Sequence, residues 1–532
     1  MSNANDKLYY FTNVTLTVDG ENYSVASLDL QSYENAIPAA RAVINPMDTG
    51  AGGKAADLGE FIAVWTKLSK KALAKKMKTT ATLTVNGEDG VELELKDWLL
   101  VAAGVENVSA DGSFSVVAMF LHPVAGSDVS AMAFFNSPKN VEYPGKKGGN
   151  IVEAWLQLFQ AFLTAQGASA EAGGTIAVPE ITRVESVTTP EFAEIDKKIL
   201  GKLAAARQIL EDNVIWKYDG SGFPLESQSG GLLQDSVCHA IWNSFQQSGA
   251  TPWQMFLGAL SSMLCAIRGG FDGKPMEVYP NESWNSPDAK NPPPPIKILP
   301  DHVAQLQLPV ASDPVAAVVV QGAKPMSPVS QMQDTNVMGG RENQQWQEMH
   351  VLGAYIDMFD KVEGRVLAVS LPPWFSAMQS ERTYDGQGGG PAYTNKDLNS
   401  DDVIDKGYDS TVKAAIDTDL EMLKTCAAAY AKDIFCWQYG VDSRLQVGVR
   451  YMLKFNGEWL KPGFPASVGS SEGGDKAARF YLYGVSHTLD ASGGAGTTLY
   501  GSHVSSVLME PTTSEMFKGG GGGGGGTTVG IK

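Results

Sequence analysis

The chain has 532 residues, with 41 Lys and Arg against 59 Asp and Glu, so its formal net charge is -18 at pH 7. This acidic balance argues against direct binding to nucleic acid, whose phosphates carry the same sign of charge. Four cysteines in such a long chain exclude a disulfide framework, and no apolar run approaches the ~18 residues that span a bilayer, so stable membrane insertion is not expected.

Residues 1–150 have the pattern of an antiparallel β-barrel. Val14, Leu16 and Val18 alternate with polar residues before a turn at Asp19–Gly20, which predicts a hairpin. A second hairpin is predicted on either side of residues 86–90, and the run Phe114–Leu121 predicts a further strand. Short strands with turns at this spacing are typical of a barrel or sandwich.

Residues 151–250 read as a helical insertion. Apolar residues recur with helical period from about residue 151 until Gly167, and Thr189–Pro190 is a helix start that precedes a second periodic stretch. The range 251–325 reads as an α/β middle domain, because a helix begins at Thr251–Pro252 and a short strand follows at Gly273–Tyr279. We expect that helix to end at Gly269–Gly270.

The range 326–432 is predicted to be a loop-rich insertion that ends in a helix over about residues 411–432. Before it, Val315–Val320 predicts a buried strand. Residues 433–515 predict a second β-barrel: Leu445–Phe455 alternates along one strand, and Asn456–Gly457 is a strong hairpin signal. Phe480–His487 and Thr497–Val507 predict two more strands.

Residues 516–532 predict a flexible Gly-rich tail, because the eight glycines Gly519–Gly526 bury no side-chain surface. The last six residues, Thr527–Lys532, have β character. They either deliver a short strand to a neighbour or form a frayed end.

No motif in the sequence predicts a catalytic, cofactor or metal site. Thr49–Lys54 lacks the spacing of a phosphate loop, and the acidic positions Asp397, Asn399 and Asp401 lack the Gly and Glu that complete a calcium loop. The six histidines form no metal-ligand pair. A pair of carboxylates for glycoside cleavage stays open, since 59 acidic residues make chance pairs unavoidable.

Lysines recur at helical spacing in one stretch, at Lys67, Lys71 and Lys75. This stripe is either a solvated helix face or a docking face for an acidic partner. If it is a docking face, reversing Lys71 and Lys75 to Glu is expected to abolish assembly with that partner, as measured by co-purification. Unaffected assembly would contradict the docking interpretation.

Three C-terminal blocks carry a recognisable pattern, Leu460–Phe464, Ala478–Asp490 and Gly496–Tyr500. They resemble the baseplate hub family of contractile-tailed phages, which includes the N-terminal part of type VI secretion spike proteins. The stretch from Thr251 to Pro280 is similar to the middle domain of that family, and Tyr33–Pro38 looks like part of its first barrel.

The resemblance implies an α+β, mainly β fold with two antiparallel β-barrels, α/β and helical insertions, and a trimeric ring. It implies a structural hub that adapts a sixfold tail tube to a threefold central spike, located in the tail baseplate of a virion and assembled in the host cytoplasm. The implied partners are two further copies, the tube protein, the spike protein and other baseplate proteins. The residues expected at assembly interfaces are Tyr481, Tyr483, Val485, His487, Lys67, Lys71 and Lys75.

The family uses no catalysis at its His-bearing strand, so the resemblance implies that His487 lines a barrel or an interface and that the chain is not an enzyme. Two other functions remain open from the sequence: a tail-associated cell-wall hydrolase, and a peripheral baseplate or receptor-binding protein. The sequence also leaves open which injection system the chain serves and which residues touch the tube or spike. The roles of the 151–250 and 326–410 insertions are open as well.

Overall fold

A computed structural model gives the arrangement of a part of the chain. The described residues are 11–18, 21–44, 58–74, 80–87, 92–107, 114–128, 151–165, 169–170, 176–177, 190–216, 250–262, 265–271, 274–280, 296–308, 315–323, 349–356, 365–370, parts of 427–434, 444–450, 454–455, 458–469, 477–490 and 494–503. The α+β, mainly β fold class is confirmed.

The N-terminal part folds into six strands and one helix, which we call the first β unit. Its elements are β1 (Phe11–Val18), β2 (Glu21–Tyr33), β3 (Ala39–Ile44), α1 (Leu58–Ala74), β4 (Thr80–Gly87), β5 (Glu92–Asn107) and β6 (Phe114–Leu121). Both predicted hairpins are confirmed, since β1 pairs with β2 and β4 with β5. β6 has the predicted bounds, and a 3-10 helix, Pro123–Ser127, follows it.

The next part contributes three helices and short strands. They are α2 (Ile151–Ala165), β7 (Ser169–Ala170), β8 (Ile176–Ala177), α3 (Pro190–Asn213), β9 (Val214–Trp216), α4 (Pro252–Ser262), β10 (Cys265–Arg268) and β11 (Met276–Pro280). The predicted starts of α3 and α4 are confirmed. Thr251 and Gln254 form a capping box at the start of α4: the Gln254 amide donates to Thr251 Oγ1 at 3.2 Å, and the Thr251 amide donates to Gln254 Oε1 at 3.0 Å.

The prediction that α4 runs to Gly269–Gly270 is wrong. The helix ends at Ser262, and Cys265–Arg268 forms β10, which pairs antiparallel with β11. The apolar run after Ser262 suits a helix or a strand by periodicity alone, and the pairing with β11 decides for the strand.

The described residues within 427–434 are helical, and the other remaining elements are strands apart from one short 3-10 helix. They are β12 (Ile296–Ile298), the 3-10 helix Pro300–His302, β13 (Val303–Gln307), β14 (Val315–Ala323), β15 (Met349–Ile356), β16 (Arg365–Ser370), β17 (Arg444–Val449), β18 (Lys454–Phe455), β19 (Glu458–Trp459), β20 (Phe464–Gly469), β21 (Ala477–Asp490) and β22 (Ala495–His503). β14 confirms the predicted buried strand.

The prediction of one strand over Leu445–Phe455 is wrong, because the stretch divides between two pairings. β17 pairs with β22 in the large sheet, whereas β18 pairs with β19 in a separate hairpin around Asn456–Gly457. The chain bends at Arg450 between them.

A 12-stranded sheet contains strands from both the N-terminal and the C-terminal described parts of the chain. In the first β unit the pairings follow the order β1-β4-β5-β6-β3-β2, and β2 pairs again with β1, so they run around a cycle. The strands β20, β21, β22 and β17 follow one another in what we call the second β unit. Here β12 pairs parallel with β20. The following strand, β13, pairs antiparallel with β17. The second β unit therefore includes strands from the range predicted for the middle domain.

An α/β unit is formed by α2, α3 and α4 with the sheets β10-β11-β9 and β15-β14-β16, which share one hydrophobic core. Its core contains Trp155, whose ring centroid lies 5.0 Å from that of Phe159 and 4.9 Å from that of Phe256. In the first β unit, α1 contributes Leu68 and Ala72 to the core. Within the described part of the chain, no helix has the length and apolar character needed to cross a membrane.

Some sequence predictions fall outside the described residues. These are the tail after His503, the loops over 326–348, the acidic positions Asp397–Asp401 and most of the helix over 411–432. The predicted domain boundaries stay predictions.

Candidate functional site

The two β units meet edge to edge, at a contact that we call the β2–β21 junction. Seven residue pairs form it, from Ser27 opposite Asp490 to Tyr33 opposite Gly484, and the central pair is Leu30 opposite His487. Each of the two strands is long enough to pair within its own unit along one part and with the other unit along another part. β2 pairs with β1 over residues 21–24 and with β21 over 27–33, whereas β21 pairs with β20 over 477–482 and with β2 over 484–490.

One end of this junction carries a set of polar side chains from all three units, which we call the junction cluster. Its members are Glu34 from the first β unit, Arg268, Glu277 and Tyr279 from the α/β unit, and Lys461 and Tyr481 from the second β unit. A charged group loses its hydration when it is buried, so such a cluster is stable only when each charge is paired.

Glu277 is the acceptor at the centre of the buried charges. Its Oε2 lies 3.0 Å from Arg268 Nε, and its Oε1 lies 2.9 Å from Lys461 Nζ, with the Glu277 side chain only 7% exposed. β11 supplies Glu277, β10 supplies Arg268, and the chain before β20 supplies Lys461. The carboxylate therefore binds the second β unit to the α/β unit.

The Arg268 guanidinium makes further contacts with the second β unit. It donates hydrogen bonds to the carbonyl oxygens of Pro462 at 3.3 Å and Gly463 at 3.1 Å. Its Cζ lies 4.4 Å from the ring centroid of Phe464 and 4.8 Å from that of Tyr279, within the range of cation–π attraction.

Two buried tyrosines link the cluster to the first β unit. The Tyr279 and Tyr481 hydroxyls lie 2.8 Å apart, and Tyr481 donates to Glu34 Oε2 at 2.6 Å. Burial raises the pKa of the Glu34 carboxyl above its ordinary value, although the hydrogen bonds from Tyr481 and Tyr279 oppose that rise. Burial, with the nearby Glu34 charge, also raises the pKa of both tyrosines well above the ordinary value.

Main-chain groups add to the same contact. After β2 the chain turns at Asn35, whose φ of 59° lies in the left-handed region that Asn tolerates. Asn35 exchanges two hydrogen bonds with Ile267: its amide donates to the Ile267 carbonyl at 2.8 Å, and its Oδ1 accepts from the Ile267 amide at 3.0 Å. The Glu34 amide donates to the Tyr483 carbonyl at 2.8 Å. The turn thus contacts both other units.

Two glycines permit the close approach of the units. Gly463 has a φ of +91°, and a Cβ there would lie 2.7 Å from Arg268 Nη1 and 2.9 Å from the Tyr279 hydroxyl. A Cβ on Gly484 would collide with the Tyr33 ring across the junction. In the absence of that Cβ the Tyr33 ring packs 5.4 Å from Tyr500, centroid to centroid.

The structure separates the residues that the sequence predicted for assembly interfaces. Tyr481 belongs to the junction cluster, and Val485 and His487 have no exposed surface, so these side chains contact their own chain. Tyr483 is half-buried beside Tyr500, with ring centroids 6.4 Å apart. An assembly role for the predicted residues stays a prediction.

The predicted lysine stripe lies partly on α1. Lys67 is exposed and forms an ion pair with Glu21 on β2, and this contact lowers the pKa of Glu21. Lys71 is half-buried, and Lys75 lies outside the described residues. Lys67 therefore already has an acidic partner within the chain.

The sequence did not single out Arg268, Glu277 or Lys461. The blocks that carry the resemblance nevertheless meet here: Tyr33–Pro38, Met276–Pro280, Leu460–Phe464 and Ala478–Asp490 all contribute residues to the junction cluster or its main-chain contacts. Glu277 is a charged residue within an otherwise apolar strand, and this pattern could have indicated a buried ion pair. Among the described residues, no group of three or more His, Cys, Asp and Glu side chains could hold a metal ion.

No protein-family model and no curated protein matches the chain. Among solved structures, the chain is similar to a tail protein from Neisseria meningitidis, with 11% identity, a TM-score of 0.44 and coverage of 93% of this chain and 97% of that one. It is similar to a 43 kDa prophage tail protein from Shewanella oneidensis, with 10% identity, a TM-score of 0.38 and coverage of 92% and 98%.

A third similar structure is a component of the type VI secretion system of E. coli, described as structurally similar to tail proteins of bacteriophage T4. It shares 7% identity with this chain at a TM-score of 0.33, over 92% of this chain and 77% of that one. The similar structures are thus two tail proteins, one of them from a prophage, and a type VI secretion component.

Proposed function

We propose that this chain is the structural hub of a contractile tail baseplate. The observation that carries the proposal is the β2–β21 junction, which combines two β units of one chain into a single 12-stranded sheet. Because seven residue pairs and the junction cluster hold the units together, each chain presents two joined β units. The sequence resemblance to baseplate hubs supports the same role.

A trimer of such chains places six β units around one axis. Six similar units can match a sixfold tail tube on one side, while the threefold symmetry of the chains matches a central spike on the other. The proposed partners are therefore two further copies, the tube protein, the spike protein and neighbouring baseplate proteins. The proposed role is structural rather than catalytic, in the tail of a virion assembled in the host cytoplasm.

The mass of the purified chain in solution tests this proposal. We expect light scattering to give three times the 56.7 kDa of one chain, and negative-stain images to show a ring with six lobes. A stable dimer would contradict the proposal, because four β units cannot match a sixfold tube. Clearing of peptidoglycan in a zymogram of the same sample would contradict the structural role and favour the cell-wall hydrolase.

A further inference from the structure

The centre of the β2–β21 junction is occupied by a histidine. His487 is opposite Leu30, the middle pair of the seven, and it has no exposed surface. Directly opposite residues of paired strands project to the same face of a sheet, so the His487 ring faces the core that contains Leu30. A residue of the second β unit thus completes the core of the first.

The groups around the imidazole are uncharged and mostly apolar. The ring lies edge-on to Phe271, with centroids 5.3 Å apart, and to Trp459, with centroids 6.3 Å apart. Its Nδ1 lies 2.9 Å from Thr497 Oγ1 on β22. The closest charged pair along β2 is Asp29 with Arg41, and Asp29 projects to the opposite face because it is adjacent to Leu30.

A cation has no counter-charge in these surroundings. Burial lowers the pKa of His487 from 6.5 to about 4, and a backbone interaction with Leu460 opposes this only in part. The imidazole is therefore neutral in the closed junction at neutral pH. In an open junction, where water reaches the ring, its pKa returns to about 6.5.

We propose that protonation of His487 opens the junction between the two β units, so that the junction is an acid-sensitive switch in this chain. The pKa of His487 is lower in the closed junction than in the open one, so the neutral imidazole favours closure above the open-state pKa. This stabilisation is lost as the pH falls towards the closed-state pKa. The window therefore lies between pH 6.5 and about 4.

Other titratable groups near the junction act differently. Burial raises the pKa of Glu34, so acid favours the closed state through this carboxyl. The raised pKa values of Tyr279 and Tyr481 keep both hydroxyls protonated throughout this window. The Glu277 carboxylate pairs with both Arg268 and Lys461 in a buried ion-pair set. Of Glu34, Tyr279, Tyr481 and His487, only His487 gains a charge as the pH falls.

Hydrogen exchange of the β2 segment 27–33 in the full chain tests the switch. In the wild type, the opening constant of this segment is expected to rise about 30-fold between pH 7.5 and pH 5, after correction for intrinsic exchange. In the His487→Gln variant, which retains a polar group near Thr497 but cannot ionise, the rise should be absent. His487→Phe, which fills the same space with an uncharged ring, serves if the Gln variant does not fold.

Three controls separate this switch from general acid unfolding. His302→Gln removes a half-buried histidine outside the junction and should leave the 30-fold rise intact. Glu34→Gln removes the opposing titration and should make the rise as large or larger. Exchange in α2, in the α/β core, should not follow that of β2. Equal pH dependence in wild type and both His487 variants, or a parallel rise in α2, would overturn the proposal.

Discussion

Replacement of Glu277 with alanine is expected to destabilise the protein by about 3–5 kcal/mol, the usual cost of removing one partner from a buried ion pair. The substitution leaves two cations without their shared carboxylate. The Arg268 side chain is only 13% exposed and that of Lys461 only 10%. The free energy of unfolding, measured from the denaturant midpoint at pH 7, checks this.

Glu194 supplies the matched control for that experiment. It also pairs with a lysine, Lys198 at 2.8 Å, but both side chains are 68% exposed on α3. Solvent screens such a pair, so Glu194→Ala should leave the midpoint unchanged. If the two alanine variants unfolded at the same midpoint, the junction cluster would not hold the units together as described.

The second large effect is expected for Gly463→Ala, which should destabilise the protein by about 2–4 kcal/mol. Alanine at a φ of +91° is strained, and its Cβ would displace Arg268 and Tyr279 from their contacts. The unfolding midpoint again measures the effect.

Gly104 on β5 provides the comparison for the loss of glycine itself. A Cβ there meets nothing within 4 Å, so Gly104→Ala should be neutral or slightly stabilising, because it lowers the entropy of the unfolded chain. A midpoint for Gly463→Ala as high as that for Gly104→Ala would show that the second β unit tolerates a shift of Arg268.

Local sequence signals predicted the elements that depend on local contacts. Alternation in Phe114–Leu121 predicted β6 with the correct bounds, and Thr189–Pro190 placed the start of α3. The errors arose where a distant partner decides the structure. β10 is a strand because β11 pairs with it, and the bend at Arg450 separates strands that belong to different sheets.

The candidate site was accessible from sequence only in part. The resemblance singled out Tyr481 and His487 on β21. Periodicity cannot show that Tyr481 donates a hydrogen bond to the Glu34 carboxyl, directly after β2, or that His487 packs against the core of the other β unit. Nor does any local pattern reveal that Glu277 shares a contact with Lys461, 184 residues later. These three contacts follow from the topology, which brings strands that are distant in sequence together.

The junction also sets an order of events during synthesis. Glu34 and Tyr481 are 447 residues apart in the chain. At a ribosomal rate of roughly 5–20 residues per second, the edge of β2 waits on the order of 20–90 seconds for β21 to emerge. An unpaired strand edge readily pairs with another chain in that interval. Slow synthesis or crowded polysomes should therefore lower the yield of folded protein, even though the equilibrium stability of the folded chain is unchanged.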